Sequence, residues 1–313
     1  MRDRDVAGVI ERAAGILGPL AQRGVPLGPM TTYRVGGPAA LFVRAEEDEH
    51  LRLVARAVRE TGVEVLIVGN GSNLLVADAG FAGLAVALGE TYATIEVVGT
   101  LVRAGAAALL PVVARRTAAA GLTGFEWAVG VPGSIGGAVR MNAGGHGSDM
   151  AAVLSRVRLL DLCSGEDEIV PVDRLGLAFR HSDVQAHQVV LWAELQLARG
   201  EPAASEQLIA EVVRWRREHQ PGGANAGSVF VNPAGDSAGR LIDAAGCRGL
   251  RLGSARVSEK HANFIQADEG GSADDIERLM REVWARVVAH SGVRLRPETR
   301  LVGFGPAPWD GSP

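Results

Sequence analysis

The sequence is poor in several features that mark common classes of protein. Its 313 residues include two cysteines, Cys163 and Cys247, which are too few for a disulfide framework or a multi-cysteine metal site. The seven histidines form no H-x-x-x-H pair, so we expect no metal. No apolar run is long enough to span a membrane, and a net charge of −4 gives no basic surface for nucleic acid. Because the first residues also lack the apolar segment of a signal peptide, we expect a cytoplasmic protein.

What the chain does contain is typical of a globular protein, with 47% hydrophobic and 22% charged residues. Helical periodicity predicts helices within residues 1–24, 49–61, 106–120, 205–219 and 272–290. Short apolar runs between them predict strands, which makes the fold class α+β. Shifts in pattern divide the chain into domains at 1–85, 86–199 and 200–304, followed by a disordered tail at 305–313.

The most informative stretch is a glycine-rich segment between two apolar runs. Residues 127–144 read WAVGVPGSIGGAVRMNAG. Glycine lets backbone N–H groups approach an anion without a Cβ in the way, and successive N–H groups at a turn entering a helix favour phosphate oxygens. Taken alone, the same stretch could also be a glycine-rich turn between core segments.

Another glycine-rich turn, earlier in the chain, favours the phosphate interpretation. We call this turn the first glycine loop and residues 127–144 the second glycine motif. Residues 65–75 read VLIVGNGSNLL, a short apolar strand that runs into a polar, glycine-rich turn at 69–73. Two such loops suggest a ligand with a long pyrophosphate-bridged body, such as a dinucleotide. Neither loop is the Rossmann G-x-G-x-x-G that opens a helix, because the first loop lies between two strand-like runs.

Four polar segments could carry chemistry, and each has a plainer structural alternative. Arg180 could bind a carboxylate through its guanidinium or could lie solvated at the surface. Ser228 could donate a proton or could bond to its own backbone at the start of a strand. Glu298 lies between two arginines, where a salt bridge is the plainer role. Lys260 and His261 could be catalytic or could form a hydrogen-bonded pair leading into a strand.

Taken in order, these segments resemble the UDP-N-acetylenolpyruvoylglucosamine reductase family (MurB), flavoenzymes of bacterial peptidoglycan synthesis. The resemblance is specific because many motifs match in sequence order over residues 31–303. The matching stretches are TTYRVGG (31–37), VGNGSNLL (68–75), GVPGSIGGAVRMNAG (130–144), FRHS (179–182), AGSVFVNP (226–233), AGRLIDAAG (238–246), SEKHANFI (258–265) and ETRLVG (298–303). The short region 183–227 resembles the second type of the family.

The resemblance implies a fold and a cofactor. The two N-terminal domains would be α/β subdomains of the FAD-binding, vanillyl-alcohol-oxidase-like (PCMH) fold, and residues 200–304 would form an α+β substrate domain. FAD would be bound non-covalently, with NADPH as the hydride donor. The residues that the resemblance assigns to FAD are Tyr33, Val68, Gly69, Asn70, Gly71, Ser72, Asn73, Leu74, Gly130, Pro132, Gly133, Ser134, Gly136, Gly137, Ala138, Asn142, Ala143 and Gly144.

The resemblance also implies a ping-pong reduction of UDP-N-acetylglucosamine enolpyruvate to UDP-N-acetylmuramate. Hydride would pass from NADPH to flavin N5 and then to C3 of the vinyl group, after which C2 is protonated. The implied catalytic residues are Ser228 as the proton donor, with Arg180 and Glu298 stabilising the enolate charge. The expected partners are therefore this UDP-sugar substrate and NADPH, with no nucleic acid and no membrane, and we expect a monomer.

Two departures from the family pattern bear on rate and cofactor preference. Phe179 stands where the family has Tyr, and Val231 stands where it has Lys. One alternative function is an FAD-linked oxidase of the same fold, many of which attach FAD through His or Cys. His146, just beyond the second glycine loop, is the nearest candidate for such a bond. Another alternative is a non-catalytic protein that binds flavin or a UDP-sugar.

Overall fold

A computed structural model describes residues 5–310, which form two compact units. The first unit contains the residues up to Gly24, Ala40–Asn70 and Ala82–Arg216. The second contains Val25–Ala39, Gly71–Phe81 and the residues from Arg217 onward. Because this division follows packing alone, the predicted domain boundaries at 85, 199 and 304 stay a prediction.

The five helices predicted above are present with shifted ends, together with two shorter helices at residues 135–141 and 238–244. Within the described residues they are α1 (Val6–Leu17), α2 (Asp48–Thr61), α3 (Leu110–Ala119), α4 (Ile135–Met141), α5 (Pro202–His219), α6 (Ala238–Ala244) and α7 (Ala273–Ser291). The first helix is shorter than predicted because Gly18, with a φ of 55°, ends it; residues 1–4 lie outside the described range. None of these helices is long and apolar enough to cross a membrane.

Strands fill most of the remaining chain. They are β1 (Gln22–Pro26), β2 (Pro38–Ala45), β3 (Val65–Val68), β4 (Leu74–Val76), β5 (Phe81–Leu88), β6 (Ile95–Val98), β7 (Leu101–Gly105), β8 (Leu122–Thr123), β9 (Gly144–Gly145), β10 (Ser148–Asp149), β11 (Leu154–Asp161), β12 (Asp167–Pro171), β13 (Gln188–Gln196), β14 (Ala198–Arg199), β15 (Arg251–Leu252), β16 (Ala255–Val257), β17 (Ile265–Ala267) and β18 (Arg300–Val302). The mixture of helices and sheets is the α+β class that the sequence predicts.

The first unit is built around two sheets. One has the strand order β1-β2-β5-β3, with β3 parallel to β5, and the apolar face of α2 contributes Leu51 and Val54 to its core. The other is antiparallel, in the order β12-β11-β13-β7-β6. Its core includes Val113 of α3 and Ile135 of α4, so the helix within the glycine motif at 127–144 is anchored in a buried layer.

The second unit packs α7 in the same core as the small antiparallel sheet β15-β16-β17. Ser272 caps α7 by accepting a hydrogen bond from the Asp275 N–H, and Gly292 ends the helix in the left-handed conformation. A parallel pair of strands, β4 and β18, lies in the same unit and continues directly from the first glycine loop. The unit therefore places that loop beside the C-terminal segment.

Two sequence predictions in the second unit are wrong in detail. Apolar patterning predicts strands at 228–231 and 293–302, but only Arg300–Val302 of these forms a regular strand, and an isolated bridge joins Phe230 to Pro297. The tail predicted to be disordered is packed over residues 306–310, where the Trp309 ring lies edge-on to Phe230 at 6.3 Å. The Pro306 carbonyl also accepts a hydrogen bond from Arg281 at 2.8 Å. Residues 311–313 lie outside the described range.

A buried carboxylate ties three strands of the large antiparallel sheet. Glu194 on β13 is 1% exposed and lies directly opposite Arg103 on β7 and Arg156 on β11. Its carboxylate accepts hydrogen bonds from Arg156 at 2.5 Å and from Arg103 at 2.6 Å. The hydrogen bond from Arg156, helped by Arg103, holds the pKa of Glu194 below its usual value although burial opposes this.

We expect Glu194→Gln to lower the free energy of unfolding by about 1–3 kcal/mol at pH 7, because charge-assisted hydrogen bonds are lost. A lowered folded-state pKa stabilises the protein above the unfolded-state pKa of about 4.3, and this stabilisation disappears as pH falls through the folded value. Urea unfolding at pH 7 and near pH 3.5, in the same flavin state, measures both effects. The difference in the free energy of unfolding between wild type and variant should be smaller at the lower pH. A difference that does not depend on pH would contradict this account. Glu11→Gln, in an exposed pair with Arg23, is the control.

Candidate active site

The second glycine motif of the first unit leaves selected backbone amides available at the start of α4. The Ile135 N–H donates to the Ala108 carbonyl and the Gly136 N–H to the Ala106 carbonyl, both at 2.9 Å. The amides of Ser134 and Gly137 have no such acceptor among the described residues of this unit. These two amides are therefore the donors that an anionic ligand could use here.

The two adjacent glycines of this motif have different surroundings. A Cβ on Gly136 would lie 3.0 Å from the Ala106 Cβ, so this glycine is required for packing. A Cβ on Gly137 would meet nothing closer than the Ser134 Oγ at 3.8 Å, so it faces open space. The sequence points to both glycines as places where a phosphate approaches the backbone, but the open side of the motif lies at Gly137.

The first unit brings the two glycine loops together. The Asn70 side chain donates to the Pro132 carbonyl at 3.0 Å. A Cβ on Gly69 would lie only 2.9 Å from the Ser134 Oγ. The expectation that both loops serve one ligand therefore has a geometric basis within this unit.

The rest of the first loop lies in the second unit and is tied to the C-terminal segment. Gly71 has a φ of 60°, and a Cβ there would overlap the Met30 carbonyl oxygen. The Asn73 side chain donates to the Glu298 carbonyl at 2.9 Å, and the Asn73 carbonyl accepts the Arg300 N–H at 3.0 Å. Asn73, which the resemblance assigns to FAD, thus also holds the backbone of a candidate catalytic residue.

Three buried polar groups lack a hydrogen bond of normal geometry among the described residues: the Thr299 hydroxyl, in the second unit, and two aromatic side chains. One is the indole N–H of Trp127, in the first unit at the start of the second glycine motif. The other is the hydroxyl of Tyr33, in the second unit, whose pKa burial raises strongly although the backbone of Ala226 opposes part of the shift. Buried orphan groups are rare and point to a missing ligand or water. Trp127 was not predicted as a site residue, although it begins the motif.

The remaining residues that the resemblance assigns to FAD lie around these loops. Within the first unit, Gly130 packs where a Cβ would come 2.9 Å from Val212 and 3.2 Å from the His146 ring. Gly144 lies in the short β9–β10 hairpin. The others occupy the end of β3, the segment around α4, the loop after β3 and the start of β4: Val68, Gly133, Ala138, Ala143, Ser72 and Leu74.

Arg180 lies at the tip of a tight turn in the first unit. The backbones of Ala178 and His181 exchange hydrogen bonds at 3.0 and 3.1 Å, and Arg180 between them has a φ of 54°. A left-handed conformation is unfavourable for arginine and commonly marks a functional position. The guanidinium donates to the Gly144 carbonyl at 2.9 Å, which directs it toward the second glycine motif.

The side chain of Asn142 holds this turn by a hydrogen bond to its backbone. Its amide donates to the Ala178 carbonyl at 2.9 Å, and its side-chain oxygen accepts the Ala151 N–H at 2.9 Å. The side chain is 2% exposed, so these contacts are internal to the protein. Asn142, which the resemblance assigns to FAD, positions the turn that carries Arg180.

Ser228 and Glu298 are neighbours in the second unit. The Glu298 N–H donates to the Val229 carbonyl at 2.8 Å, and the Val231 N–H donates to the Arg296 carbonyl at 2.8 Å. The Ser228 hydroxyl makes no hydrogen bond to another described residue, so the alternative of a serine bonded to its own backbone does not hold. The structure thus brings two of the three candidate catalytic residues together, while Arg180 belongs to the first unit.

Lys260 and His261 have structural partners. The Lys260 amino group donates to the Arg217 carbonyl, and the His261 ring packs edge-on against Phe264 at 4.8 Å. Burial lowers the pKa of His261 below its ordinary value, which favours a neutral ring. Both residues precede Asn263 in the chain, and each has its own structural contact rather than a hydrogen bond to the other among the described residues.

One group within residues 5–310 has side chains that could hold a metal ion: Asp161, Cys163 and His187. The Asp161 carboxylate already accepts the N–H groups of Cys163 and Ser164 at 2.8 and 2.9 Å and contacts the His187 ring at 3.1 Å. Burial raises the pKa of the Cys163 thiol, which disfavours the thiolate that a metal needs. We therefore assign this group to closing the turn between β11 and β12.

Comparisons with known proteins agree with this geometry. The sequence model described as an FAD binding domain matches residues 39–168, which contain both the glycine loop at 69–73 and the whole glycine motif at 127–144. The sequence model for the C-terminal domain of UDP-N-acetylenolpyruvoylglucosamine reductase matches residues 219–302, which hold Ser228 and Glu298. The chain is thus a flavin-dependent oxidoreductase by fold and domain content.

Full-length relatives narrow this class. UDP-N-acetylenolpyruvoylglucosamine reductase of Paramagnetospirillum magneticum is 45% identical over 281 residues, covering 89% of this chain and 91% of the relative. That of Heliobacterium modesticaldum is 40% identical, covering 91% and 92%. The crystal structure of the enzyme (MurB) from Thermus caldophilus superimposes with a TM-score of 0.80 at 34% identity, covering 90% and 98%. The chain belongs to the UDP-N-acetylenolpyruvoylglucosamine reductase family.

We expect Gly137→Val to weaken flavin retention by tenfold or more without unfolding the protein. The side chain would project into the open space beside two available amides, and each charge-assisted hydrogen bond lost is worth about 1.5–3 kcal/mol. Flavin absorbance after gel filtration, together with thermal unfolding, measures both properties. Gly15→Val is the matched control, because Gly15 is also helical with nothing within 4 Å of its Cβ position. Equal flavin loss in both variants would mean that Gly137 does not face the cofactor.

Proposed function

We propose that this protein catalyses the NADPH-dependent, FAD-mediated reduction of UDP-N-acetylglucosamine enolpyruvate to UDP-N-acetylmuramate, a step in peptidoglycan precursor synthesis. The observation that carries the proposal is the backbone pairing of Val229 with Glu298 in the second unit. Ser228 directly precedes Val229, and its hydroxyl has no hydrogen-bond partner among the described residues. This arrangement lies within the region that matches the family's C-terminal domain. Neither alternative function requires a serine and a glutamate held in this way.

The first unit has the features that FAD needs. An open glycine face at Gly137, available amides at Ser134 and Gly137, and a buried indole N–H without a partner at Trp127 are suited to a phosphate-bearing ligand. We therefore assign the pyrophosphate to this motif and the loop at Gly69. Bound FAD supplies the hydride that is added to C3 of the vinyl group.

The protein's own residues would then manage charge and protons. Hydride addition at C3 moves negative charge onto the substrate carboxylate as an enolate. Arg180 and a protonated Glu298 would stabilise that charge, and one such contact is typically worth about 3–4 kcal/mol of barrier. Ser228 would deliver the proton to C2, completing the lactyl ether. A serine is a weak acid, so this step depends on how accurately its hydroxyl is placed.

The two departures from the family pattern keep part of the local geometry. The Phe179 ring lies 5.3 Å from the Arg180 guanidinium, which retains a cation–π contact without a hydroxyl. At Val231 the backbone N–H is used in pairing with Arg296, so the side-chain change removes a charge and leaves the backbone pattern in place. We propose that these changes affect rate or cofactor affinity and leave the type of reaction unchanged. The cytoplasmic location and the monomeric state stay predictions.

We expect Ser228→Ala to separate the two half-reactions. Reduction of the flavin by NADPH does not involve substrate C2, so its rate should stay close to that of the wild type. Reoxidation by the enolpyruvyl substrate should slow by about 10²–10⁴-fold, which is the usual contribution of general acid catalysis. Stopped-flow flavin absorbance measures both steps on one sample, and Ser228→Cys should restore part of the second rate because a thiol can also donate a proton.

The control for this experiment is Ser237→Ala. Ser237 lies in the same unit, and its hydroxyl caps α6 by accepting the Arg240 N–H. Both half-reactions should stay near wild type in that variant. If Ser228→Ala slowed only the NADPH step, or neither step, the assignment of Ser228 as the proton donor would be wrong.

We also expect FAD to be bound without a covalent link. The ring of His146, the nearest candidate for attachment, packs edge-on against Trp215 at 5.0 Å, and burial lowers its pKa. Acid precipitation should therefore release all the yellow colour into the supernatant. Flavin retained in the pellet would contradict this, and its loss in His146→Ala would identify the bond.

A further inference from the structure

Asn263 makes three hydrogen bonds to two consecutive residues, although it belongs to a different segment of the chain. Its side-chain oxygen accepts the Phe230 N–H at 3.0 Å, and its side-chain nitrogen donates to the Phe230 carbonyl at 2.8 Å. Its backbone carbonyl accepts the Val229 N–H at 2.8 Å. Asn263 is 2% exposed, so these bonds are shielded from water.

The side chain of Asn263 takes the place of a neighbouring strand. An amide side chain offers one donor and one acceptor in the same plane, as a peptide group does, and can therefore pair with both polar groups of one residue. On the other edge of the segment, the Val229 carbonyl accepts the Glu298 N–H and the Val231 N–H donates to Arg296. Residues 229–231 are thus held from both sides without a regular strand.

This two-sided pairing covers residues 229–231 and therefore begins at the residue directly after Ser228. Gly227, on the other side of Ser228, has a φ of 77°, and its N–H donates to the Asn225 side chain. The backbone on the Gly227 side of Ser228 is therefore a loop, whereas the backbone on the Val229 side is clamped. The position of the Ser228 hydroxyl depends on that clamp.

We propose that Asn263 is a positioning residue for proton delivery: its side-chain amide holds the backbone that carries Ser228 beside Glu298. The inference rests on the proposed role of Ser228 as the proton donor. The Asn263 side chain hydrogen-bonds the backbone of Phe230, so it acts on the reaction through Ser228. Removing the clamp would let the hydroxyl shift, and a displacement of about 1 Å in a reacting group can cost around 10²-fold in rate.

The test uses Asn263→Asp in the flavin-loaded protein. An ionised carboxyl keeps the acceptor for the Phe230 N–H but repels the Phe230 carbonyl, whereas a protonated carboxyl can donate to that carbonyl again. Burial raises the pKa of a carboxyl, so protonation should begin within the accessible pH range. We expect reoxidation by the enolpyruvyl substrate to be about 10–100-fold slow at pH 8.5 and to recover as pH falls. Flavin reduction by NADPH should match wild type throughout.

Controls separate this effect from other titrations. His261, whose ring nitrogen accepts the Asn263 N–H, together with Lys260 and Glu298, is present in wild type, so the wild-type pH profile accounts for them. Gln266→Glu makes the same amide-to-acid change three residues away, where the side chain donates to the Gly222 carbonyl. That variant should follow the wild-type profile. Asn263→Ala should be slow in reoxidation at every pH, with faster hydrogen exchange at the Phe230 amide.

The outcomes are distinguishable. Equal slowing of both half-reactions, or flavin loss in Asn263→Asp, would make Asn263 a general structural residue and overturn the proposal. A reoxidation rate equal to wild type at pH 8.5 would overturn it as well. If wild type itself were not reoxidised by the substrate, the proposed function would fail instead. If Ser228→Ala reoxidised normally while Asn263→Asp did not, the clamp would act through another group.

Discussion

The backbone of Val229 hydrogen-bonds in two directions, to the Asn263 carbonyl through its N–H and to the Glu298 N–H through its carbonyl. This one residue joins three segments that are far apart in the chain. Ser228 precedes it and Glu298 faces it, so the spacing of the two candidate catalytic side chains follows from backbone pairing. Backbone hydrogen bonds shielded from water give a more definite geometry than contacts between flexible side chains.

In the first unit, backbone hydrogen bonds likewise limit where a ligand could bind. Most backbone amides around α4 donate to carbonyl groups of the unit, and the few that remain are the donors available to an anion. Asn142 then holds the turn in which Arg180 adopts a left-handed conformation. Such a conformation costs about 1–2 kcal/mol for a residue with a Cβ, so surrounding contacts must maintain it. In both units, hydrogen bonds to the backbone therefore fix the positions of the candidate catalytic side chains, Arg180 in the first unit and Ser228 and Glu298 in the second.

Much of the site could be predicted from the sequence because its motifs are local. The glycine loops, the serine after Gly227 and the arginine after Phe179 are contiguous in the chain, and their glycine and apolar pattern marks them. The different roles of Gly136 and Gly137 could not be predicted, because packing against Ala106, thirty residues away, separates them. The tail was expected to be disordered from its Gly and Pro content, yet Trp309 packs against Phe230, and composition does not report a partner so distant in sequence.

The sequence by itself determined the α+β class and the family, and it predicted the candidate catalytic side chains, because periodicity and short motifs depend on neighbouring residues. Tertiary structure alone decided which of those residues meet. Asn263 and Asn73 reach the Ser228–Glu298 segment from positions that no local pattern connects with it. Their side-chain amides complete backbone pairing that a regular strand would otherwise provide, and such pairing is specified only when the chain is folded.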